Sequence, residues 1–145
     1  MPKALDYIQR IAAGEMPQPP IGKLLGMRLV AATPGQATFE LEADERHWNP
    51  MGTLHGGILC DIADGAMGIA FASTLEDGES FTTLELKINF LKPIWKSKLI
   101  AHGRIVKRGK TIGLTECDVF DEAGSLVARA TSTCMVLRGA QASGR

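Results

Sequence analysis

Residues 49–64 read NPMGTLHGGILCDIAD and lead from a polar loop into the segment Leu54–Thr74, for which the sequence predicts a helix. That segment is apolar on nearly every face, which is typical of a helix surrounded by protein rather than one lying on a surface. Two consecutive glycines, Gly56 and Gly57, stand at its start, where their backbone freedom makes ordering more costly. Either close packing of the helix on a sheet, or a ligand that approaches the free N–H groups of the helix start, explains this pair.

Two carboxylates, Asp61 and Asp64, interrupt the apolar helix. A carboxylate well inside such a helix must be paired, reach solvent through a cleft, or have a raised pKa. We interpret Asp61 as part of a solvated stripe. Asp64 shares one short stretch with Asn49, His55 and the glycine pair, and this makes it a candidate general base or nucleophile.

Predicted strands surround this helix in the sequence. Residues 82–91 alternate strictly, with Leu84 on the apolar face and Thr83 on the polar one. Short connections between the later strands indicate antiparallel pairing. The pattern predicts an α+β fold, in which an antiparallel β-sheet wraps around a central helix. The six predicted strands are Met27–Ala32, Gln36–Glu42, Thr82–Leu91, Leu99–Lys107, Thr111–Phe120 and Leu126–Leu137.

The chain length of 145 residues suits a single domain. Residues 27–138 hold the predicted sheet and its helix. Residues 1–26 form an N-terminal helical extension, with a short amphipathic helix over residues 3–13 and a turn over Ile21–Leu25. Residues 139–145 are expected to be a frayed tail.

The composition excludes several classes of function. Sixteen basic and sixteen acidic residues cancel, which argues against a nucleic-acid partner. No run approaches the ~20 apolar residues of a membrane span. The start, MPKALDYIQR, lacks the apolar core of a signal peptide, so a cytoplasmic location is expected. Three widely spaced cysteines and three scattered histidines indicate free thiols and no metal site.

Positive charge is concentrated between residues 85 and 110, which hold eight basic side chains and one acid, Glu85. Such an excess in a neutral protein suggests a polyanionic ligand, such as the phosphates of a nucleotide. The alternative is that these are solvated strand edges, where lysine discourages edge pairing. No GxGxxG or GxxxxGK[ST] pattern is present, so a Rossmann or P-loop phosphate site is excluded.

The spacing of Asn49, His55-Gly56-Gly57 and Asp64, followed by a strand over residues 83–91 and by Pro93, resembles that of the hotdog-fold acyl-CoA thioesterases of the phenylacetate-degradation (PaaI) type. The resemblance covers roughly residues 20–138. It implies hydrolysis of an acyl-CoA thioester to free CoA and a carboxylic acid, with CoA as part of the substrate and no other cofactor. It also implies a site built between two subunits, in a homodimer or a dimer-of-dimers tetramer.

The resemblance implies roles for single residues. The Gly56 N–H polarises the thioester carbonyl, and Asp64 activates water or attacks as a nucleophile. Asn49 and His55 orient the reacting groups, and Thr83, or Thr82 if the register differs, assists the water. Independently of the resemblance, the basic run predicts that Lys92, Arg108 and Lys110 bind the CoA phosphates. Gly57 is the remaining predicted substrate-binding residue.

Two other functions stay open on the sequence. An acyl-CoA-binding regulatory module of the same fold would keep the basic residues and the dimer but would not need Asp64. A hotdog dehydratase or hydratase is the other alternative. By family resemblance, such enzymes carry a catalytic histidine in a differently spaced motif with a proline-bearing helix start, which this sequence lacks.

Overall fold

A computed structural model describes residues 1–145, in which six antiparallel strands form one sheet around a central helix that contacts all six. This confirms the predicted α+β architecture. The helices are α1 (Lys3–Ala12), α2 (Pro20–Leu25) and α3 (Gly56–Ala72), with 3-10 turns at Glu45–His47 and Gly139–Ala142. The strands are β1 (Met27–Thr33), β2 (Gln36–Ala43), β3 (Ser80–Phe90), β4 (Ser97–Arg108), β5 (Ile112–Phe120) and β6 (Leu126–Leu137).

The central helix α3 is buried because small apolar residues face the sheet. Ala66 and Ala70 have no solvent-exposed surface. A side chain at Gly103 of β4 would collide with the Ala66 carbonyl, and one at Gly113 of β5 would collide with the Phe71 ring. Glycine at these two positions therefore lets the sheet lie directly against the helix.

The two edges of the sheet differ. The strand order is β1-β2-β4-β5-β6-β3, so β1 and β3 are the edge strands. Helix α1 contacts β1 and buries Leu5, Ile8 and Ile11, which confirms its predicted apolar stripe. Strand β3 pairs only with β6 and is 11 residues long. A long strand with a free edge is a surface that proteins normally cover or pair.

A β-bulge in β3 corrects the predicted strict alternation of this strand. Thr83 pairs with Cys134 and Glu85 pairs with Thr133, which leaves Leu84 as the extra residue between them. Because of this extra residue, odd-numbered side chains face α3 before the bulge and even-numbered ones face it after the bulge. Thr83 therefore points to the helix side together with Leu86, whereas Leu84, predicted to lie on the apolar face, is 52% exposed.

The ends of some elements also differ from the prediction. Helix α3 begins at Gly56 rather than Leu54, because the Leu54 N–H donates to the Ile94 carbonyl at 2.7 Å and Leu54 forms a β-bridge with Trp48. The first residues of the predicted tail form the 3-10 turn Gly139–Ala142, in which no residue is buried. None of the helices combines the length and the apolar character needed to cross a membrane.

Candidate active site

The loop before α3 is closed by the side chain of Asn49. Its Oδ1 accepts hydrogen bonds from the N–H groups of Met51 and Thr53 at 3.0 and 3.1 Å, and its Nδ2 donates to the Thr53 hydroxyl at 2.9 Å. One hydrogen of the Asn49 amide is left for a ligand, since an amide nitrogen carries two. Asn49 thus shapes the loop that leads into the helix and still offers one donor.

His55 caps α3 and leaves the next N–H free. The His55 Nδ1 accepts a hydrogen bond from the Gly57 N–H at 3.4 Å. The Gly56 N–H has no acceptor within the helix and donates to no loop or side-chain group around it. It also lies at the positive end of the α3 dipole. Gly56 is therefore a ready donor for a carbonyl oxygen or an oxyanion.

The Phe90 ring provides a steric reason for glycine at position 56. A β-carbon at Gly56 would lie 2.8 Å from Phe90 Cζ, whereas one at Gly57 would meet nothing closer than the His55 ring at 3.7 Å. Close packing and a free N–H, the two explanations that the sequence left open, therefore both apply to Gly56. Phe90 cannot be recognised as a neighbour of Gly56 from the sequence, because the contact between them depends on how β3 lies against α3.

A cavity of about 410 Å³ opens in front of the helix start. Asn49, Gly56 and Phe90 line it, together with apolar side chains and the predicted substrate-binding residue Lys92. The Lys92 Nζ lies 2.5 Å from Oδ2 of the buried Asp121, and this contact holds the pKa of Asp121 below its usual range. The cavity therefore combines an apolar wall, a free backbone donor and one fixed cation.

Asp64 lies in a second, separate groove of about 290 Å³ between α3 and β3. The Thr83 hydroxyl donates to Asp64 Oδ1 at 3.3 Å, while Thr82 pairs opposite Met135 on the other face of the sheet. Although the Asp64 carboxylate reaches solvent, burial by surrounding atoms raises its pKa, and the Thr83 hydrogen bond acts in the opposite direction. Such a carboxylate is suited to take a proton from water.

Asp61 and Cys60 border the same groove as Asp64. Burial and the nearby Asp64 charge raise the pKa of Asp61, and His55 acts to lower it. The Asp61 carboxylate has no hydrogen-bonding side chain comparable to Thr83, so Asp64 is the better-placed base. No three His, Cys, Asp or Glu side chains, here or elsewhere in the chain, are grouped so that they would hold a metal ion.

The structure divides the predicted catalytic residues into two groups. Asn49, His55 and Gly56 lie at the start of α3, and Asp64 and Thr83 lie two turns further along. Asp64 lies eight positions after Gly56, which corresponds to about 12 Å along the helix. Within one chain the free N–H and the carboxylate therefore face different cavities.

The basic run between residues 85 and 110 is also divided. Lys92 lies at the cavity in front of the helix start, whereas Arg108 and Lys110 lie at the β4–β5 hairpin, near the other end of α3. The Arg108 guanidinium is 4.7 Å from the Phe71 ring centroid and donates to the Thr74 hydroxyl at 3.0 Å. Three further members form surface ion pairs: Lys96 with Glu45, Lys98 with Glu40, and Arg104 with Glu116.

Arg138 is a basic neighbour of the hairpin that cannot be predicted from its position in the sequence. Its guanidinium donates to the Lys110 carbonyl and to the Thr111 hydroxyl at 2.5 and 3.3 Å, and it pairs with Glu79 at 2.8 Å. Arg138 follows β6 and lies outside the basic run, so only the pairing of β5 with β6 brings it there.

Comparison with known proteins identifies the family. The profile of the thioesterase superfamily matches residues 51–128. The chain belongs to the thioesterase superfamily. Human acyl-coenzyme A thioesterase 13 is 31% identical over 114 residues, which are 77% of this chain and 81% of that protein. A solved phenylacetic acid degradation-related protein from Ralstonia eutropha JMP134 is 33% identical, with a TM-score of 0.80 over 89% of this chain and 98% of that one.

The E. coli PaaI protein from the phenylacetic acid degradation operon shares the fold, with a TM-score of 0.81 at 21% identity over 94% of this chain and 98% of that one. These matches confirm the hotdog fold and the PaaI-type resemblance drawn from the Asn49-to-Asp64 pattern. As a thioesterase, the protein is a hydrolase that cleaves thioester bonds. Family membership therefore favours hydrolysis over the dehydratase and binding-module alternatives.

Proposed function

We propose that this thioesterase hydrolyses acyl-CoA thioesters to free CoA and a carboxylic acid, at sites formed between two copies of the chain. One observation carries the proposal: a single helix holds both a free backbone N–H, at Gly56, and a carboxylate that accepts a hydrogen bond from a hydroxyl, at Asp64. The similarity to human acyl-coenzyme A thioesterase 13, whose name states that substrate class, supports the acyl-CoA part. CoA enters as part of the substrate, and the proposed reaction needs no metal or other cofactor.

In the proposed reaction, the Gly56 N–H donates to the thioester carbonyl oxygen. Asp64 takes a proton from a water molecule, whose oxygen attacks the carbonyl carbon. The Gly56 N–H and the helix dipole stabilise the resulting oxyanion. The C–S bond then breaks, and the CoA thiolate leaves and takes up a proton. In the nucleophilic alternative, Asp64 itself attacks the carbonyl, and water hydrolyses the acyl anhydride that forms.

The remaining predicted catalytic residues orient these groups. Asn49, whose amide keeps one hydrogen free, lines the same cavity as Gly56, and the His55 ring stands beside the helix start. Thr83 holds the Asp64 carboxylate through its 3.3 Å hydrogen bond. Gly57 places no side chain next to the Gly56 N–H, which leaves room for the thioester to approach.

A second copy is needed because one chain cannot bring both groups to one thioester. The Gly56 N–H and Asp64 are about 12 Å apart along α3, whereas a carbonyl and its attacking water are only about 3 Å apart. The free edge of β3 provides the contact. An antiparallel copy of β3 across a two-fold axis continues the sheet and lays the second α3 antiparallel to the first. The proposed assembly is this homodimer, or a tetramer of two such dimers.

The spacing along α3 defines the proposed register. Gly56, Cys60 and Asp64 are spaced four residues apart and share one face of the helix. When Gly56 of one copy faces Asp64 of the other, Cys60 lies midway between them, at the two-fold axis. Each of the two equivalent sites then takes Asn49, His55 and Gly56 from one copy and Asp64 and Thr83 from the other.

The same register gathers the divided basic residues. The two α3 helices run antiparallel in this register, so the end of one helix, where Arg108 packs on Phe71, lies towards the start of the other. The hairpin of one copy is therefore directed towards the helix-start loop of the other. We propose that Arg108 and Lys110 of one copy and Lys92 of the other contact the CoA phosphates at the mouth of the site.

Release of free thiol from a panel of short, long and aromatic acyl-CoA thioesters tests this function. The Asp64→Asn variant should lose at least ~100-fold in kcat, the scale of a lost general base. Asp61→Asn is the matched control, since Asp61 borders the same groove, and it should be nearly neutral. Full activity of Asp64→Asn would refute the mechanism. No release by the wild type from any thioester would favour the binding module instead.

A further inference from the structure

A chain of hydroxyl and thiol groups leads from Asp64, at the surface, into the buried core. Thr83 Oγ1 lies 3.3 Å from Asp64 Oδ1 and 3.9 Å from Cys134 Sγ. Cys134 Sγ lies 3.9 Å from Ser132 Oγ, which in turn is 2.6 Å from Thr115 Oγ1. These groups connect β3, β6 and β5 on the side of the sheet that faces α3.

Burial and strand register make this chain a fixed part of the structure. Cys134, Ser132 and Thr115 have no solvent-exposed surface. Cys134 pairs directly opposite Thr83, and Ser132 pairs directly opposite Thr115. Because buried polar groups need hydrogen-bond partners, the hydrogens along the chain are constrained by one another.

The number of hydrogens limits where each one points. Thr115 Oγ1 lies 3.2 Å from the Ser132 carbonyl and 2.6 Å from the Ser132 hydroxyl, and either hydroxyl can donate in the shorter contact. When Thr115 donates there, the Ser132 hydrogen is left for Cys134 Sγ, and the thiol hydrogen is left for Thr83. The Thr83 hydroxyl has one hydrogen and two acceptors, Asp64 Oδ1 and Cys134 Sγ. Asp64 receives that hydrogen only if the thiol does not. Burial raises the pKa of Cys134, so its thiol keeps a hydrogen to donate.

We propose that Cys134 is a positioning residue for the reaction: its thiol donates to Thr83 Oγ1 and so directs the Thr83 hydroxyl hydrogen onto the Asp64 carboxylate. This inference rests on the proposed role of Asp64 in hydrolysis. Without the thiol, Thr83 Oγ1 loses the donor that polarises its hydroxyl, and the hydrogen bond from Thr83 to Asp64 weakens. The charged form of Asp64 is then less well stabilised, and the pKa of Asp64 rises.

The experiment follows the titration of Asp64 directly, by NMR of protein labelled with ¹³C at the aspartate carboxyl carbons. The Asp64 resonance is assigned by its absence in Asp64→Asn. In Cys134→Ala the titration midpoint should rise by about 0.5 of a pH unit, a fraction of what a hydrogen bond to a carboxylate contributes. The acid limb of kcat/KM should move by the same amount. Cys134→Ser, which keeps a donor, should restore the wild-type midpoint.

Two controls separate positioning from loss of packing. Cys117→Ala removes another fully buried thiol, which donates to the Asp118 carbonyl at 3.7 Å, and it should leave the Asp64 midpoint unchanged. In a Thr83→Val background, Cys134→Ala should add no further change, because the two residues act through one hydrogen bond. If Cys134→Ala does not fold, Cys134→Val fills the site without a donor and replaces it. The other titratable groups bordering the groove, Cys60, Asp61 and Glu85, are the same in all these variants.

The proposal would be overturned if the Asp64 midpoint were unchanged in Cys134→Ala or Cys134→Val, in whichever variant folds. It would also be overturned if Cys134→Ala raised the midpoint as much in the Thr83→Val background as in the wild type. The NMR titration does not depend on turnover. A failure of the proposed function would instead appear as an active Asp64→Asn variant, so the two failures are distinguishable.

Discussion

Two opposing influences act on the Asp64 carboxylate. Burial between α3 and β3 raises its pKa, and the Thr83 hydroxyl lowers it through a hydrogen bond at 3.3 Å. A general base is most effective when its pKa lies near the working pH. Burial therefore increases the basicity of Asp64, while Thr83 keeps its ionised form accessible. In the proposed reaction, a base held in this way favours proton transfer from water at the expense of the stability of the folded state.

We expect Asp64→Asn to be more stable than the wild type at neutral pH. Burial raises the folded-state pKa of Asp64 above its unfolded-state pKa, so the unfolded chain loses this proton first as the pH rises. The stability of the wild type therefore decreases as the pH rises from the unfolded-state pKa to the folded-state pKa. The loss is complete above the folded-state pKa. Urea midpoints at fixed protein concentration should be higher for the variant at about pH 7, with the gap closing below the unfolded-state pKa.

Asp118 provides a control of opposite sign. Its carboxylate lies 2.6 Å from Arg129 and 3.6 Å from Arg104, and the Arg129 hydrogen bond holds the pKa of Asp118 below its usual range. Asp118→Asn should therefore be less stable than the wild type at neutral pH, with the gap closing as the pH falls through the depressed pKa. An Asp64→Asn midpoint below that of the wild type at neutral pH would contradict the predicted sign.

The sequence predicts some site residues better than others, for a physical reason. Asp64 can be recognised because an acid inside an apolar helix stands out by residue type and helical position alone. The direction of the Thr83 side chain cannot, because one extra residue, Leu84, reverses the faces of β3. Cys134 is hidden in the same way, since its relation to Thr83 depends on the β3–β6 register.

At the scale of the elements, basic residues that form one run in the sequence are divided between two places in the fold. The faces of β4 alternate, and a bulge at Val106 resets them near the hairpin. Arg108 consequently packs on Phe71 of α3, while Lys107 lies on the outer face of the sheet, opposite Leu114. The run between residues 85 and 110 could be counted from the sequence, but its division between Lys92 and the hairpin depends on the fold.

Charge reversal at the hairpin should raise KM for acyl-CoA and leave kcat nearly unchanged. Contacts to CoA phosphates hold the ground state and the transition state alike, so their loss weakens binding rather than the chemical step. Lys110→Glu is the cleaner variant, because Arg108 also contacts Phe71 and Thr74. We expect a rise in KM of roughly 3- to 10-fold, the scale of one partly exposed charged contact.

Lys107→Glu is the matched control for this measurement. It makes the same charge change on the same hairpin, but on the outer face of the sheet. Its KM and the salt dependence of that KM should equal those of the wild type. Equal values for Lys110→Glu and Lys107→Glu would assign the hairpin charges to solvated surface.

The whole molecule has an unpaired strand edge beside the helix on which we propose that a second copy completes the site. The six-stranded order and the central helix follow from periodicities that the sequence displays, because each element is patterned for burial within one chain. Pairing between two copies leaves no such pattern, since it depends on surfaces that a single chain leaves open. The structure indicates where two copies could pair at two places: the unpaired edge of β3, and the face of α3 that carries Gly56, Cys60 and Asp64.

The proposed axis predicts a specific cross-link. Cys60 of one copy should face Cys60 of the other across adjacent helices about 8–10 Å apart, whereas Cys117 and Cys134 are buried. A bismaleimide spanning about 8 Å should therefore yield a covalent dimer on a denaturing gel. The reaction is run at about pH 8, because burial raises the pKa of the Cys60 thiol and its thiolate is the reactive form.

Two variants control the cross-link. Cys60→Ser should yield none. Met51→Cys in the Cys60→Ser background presents an exposed thiol far from the proposed axis and should also yield none, which excludes chance collisions. A native dimer that resists cross-linking at Cys60 would show that the helices pair in another register.

Mixing two inactive variants tests whether each site is shared between copies. Asn49→Ala and Asp64→Ala are co-expressed or refolded together. In a mixed dimer, one site then inherits both lesions and the other keeps both native residues. Random mixing makes roughly half of the dimers mixed, each with one active site, so about a quarter of wild-type activity should return. If Asn49 and Asp64 instead acted within one chain, every site would keep a lesion. Activity that stayed at the level of the unmixed variants, with mixed dimers confirmed by native mass spectrometry, would exclude the shared site.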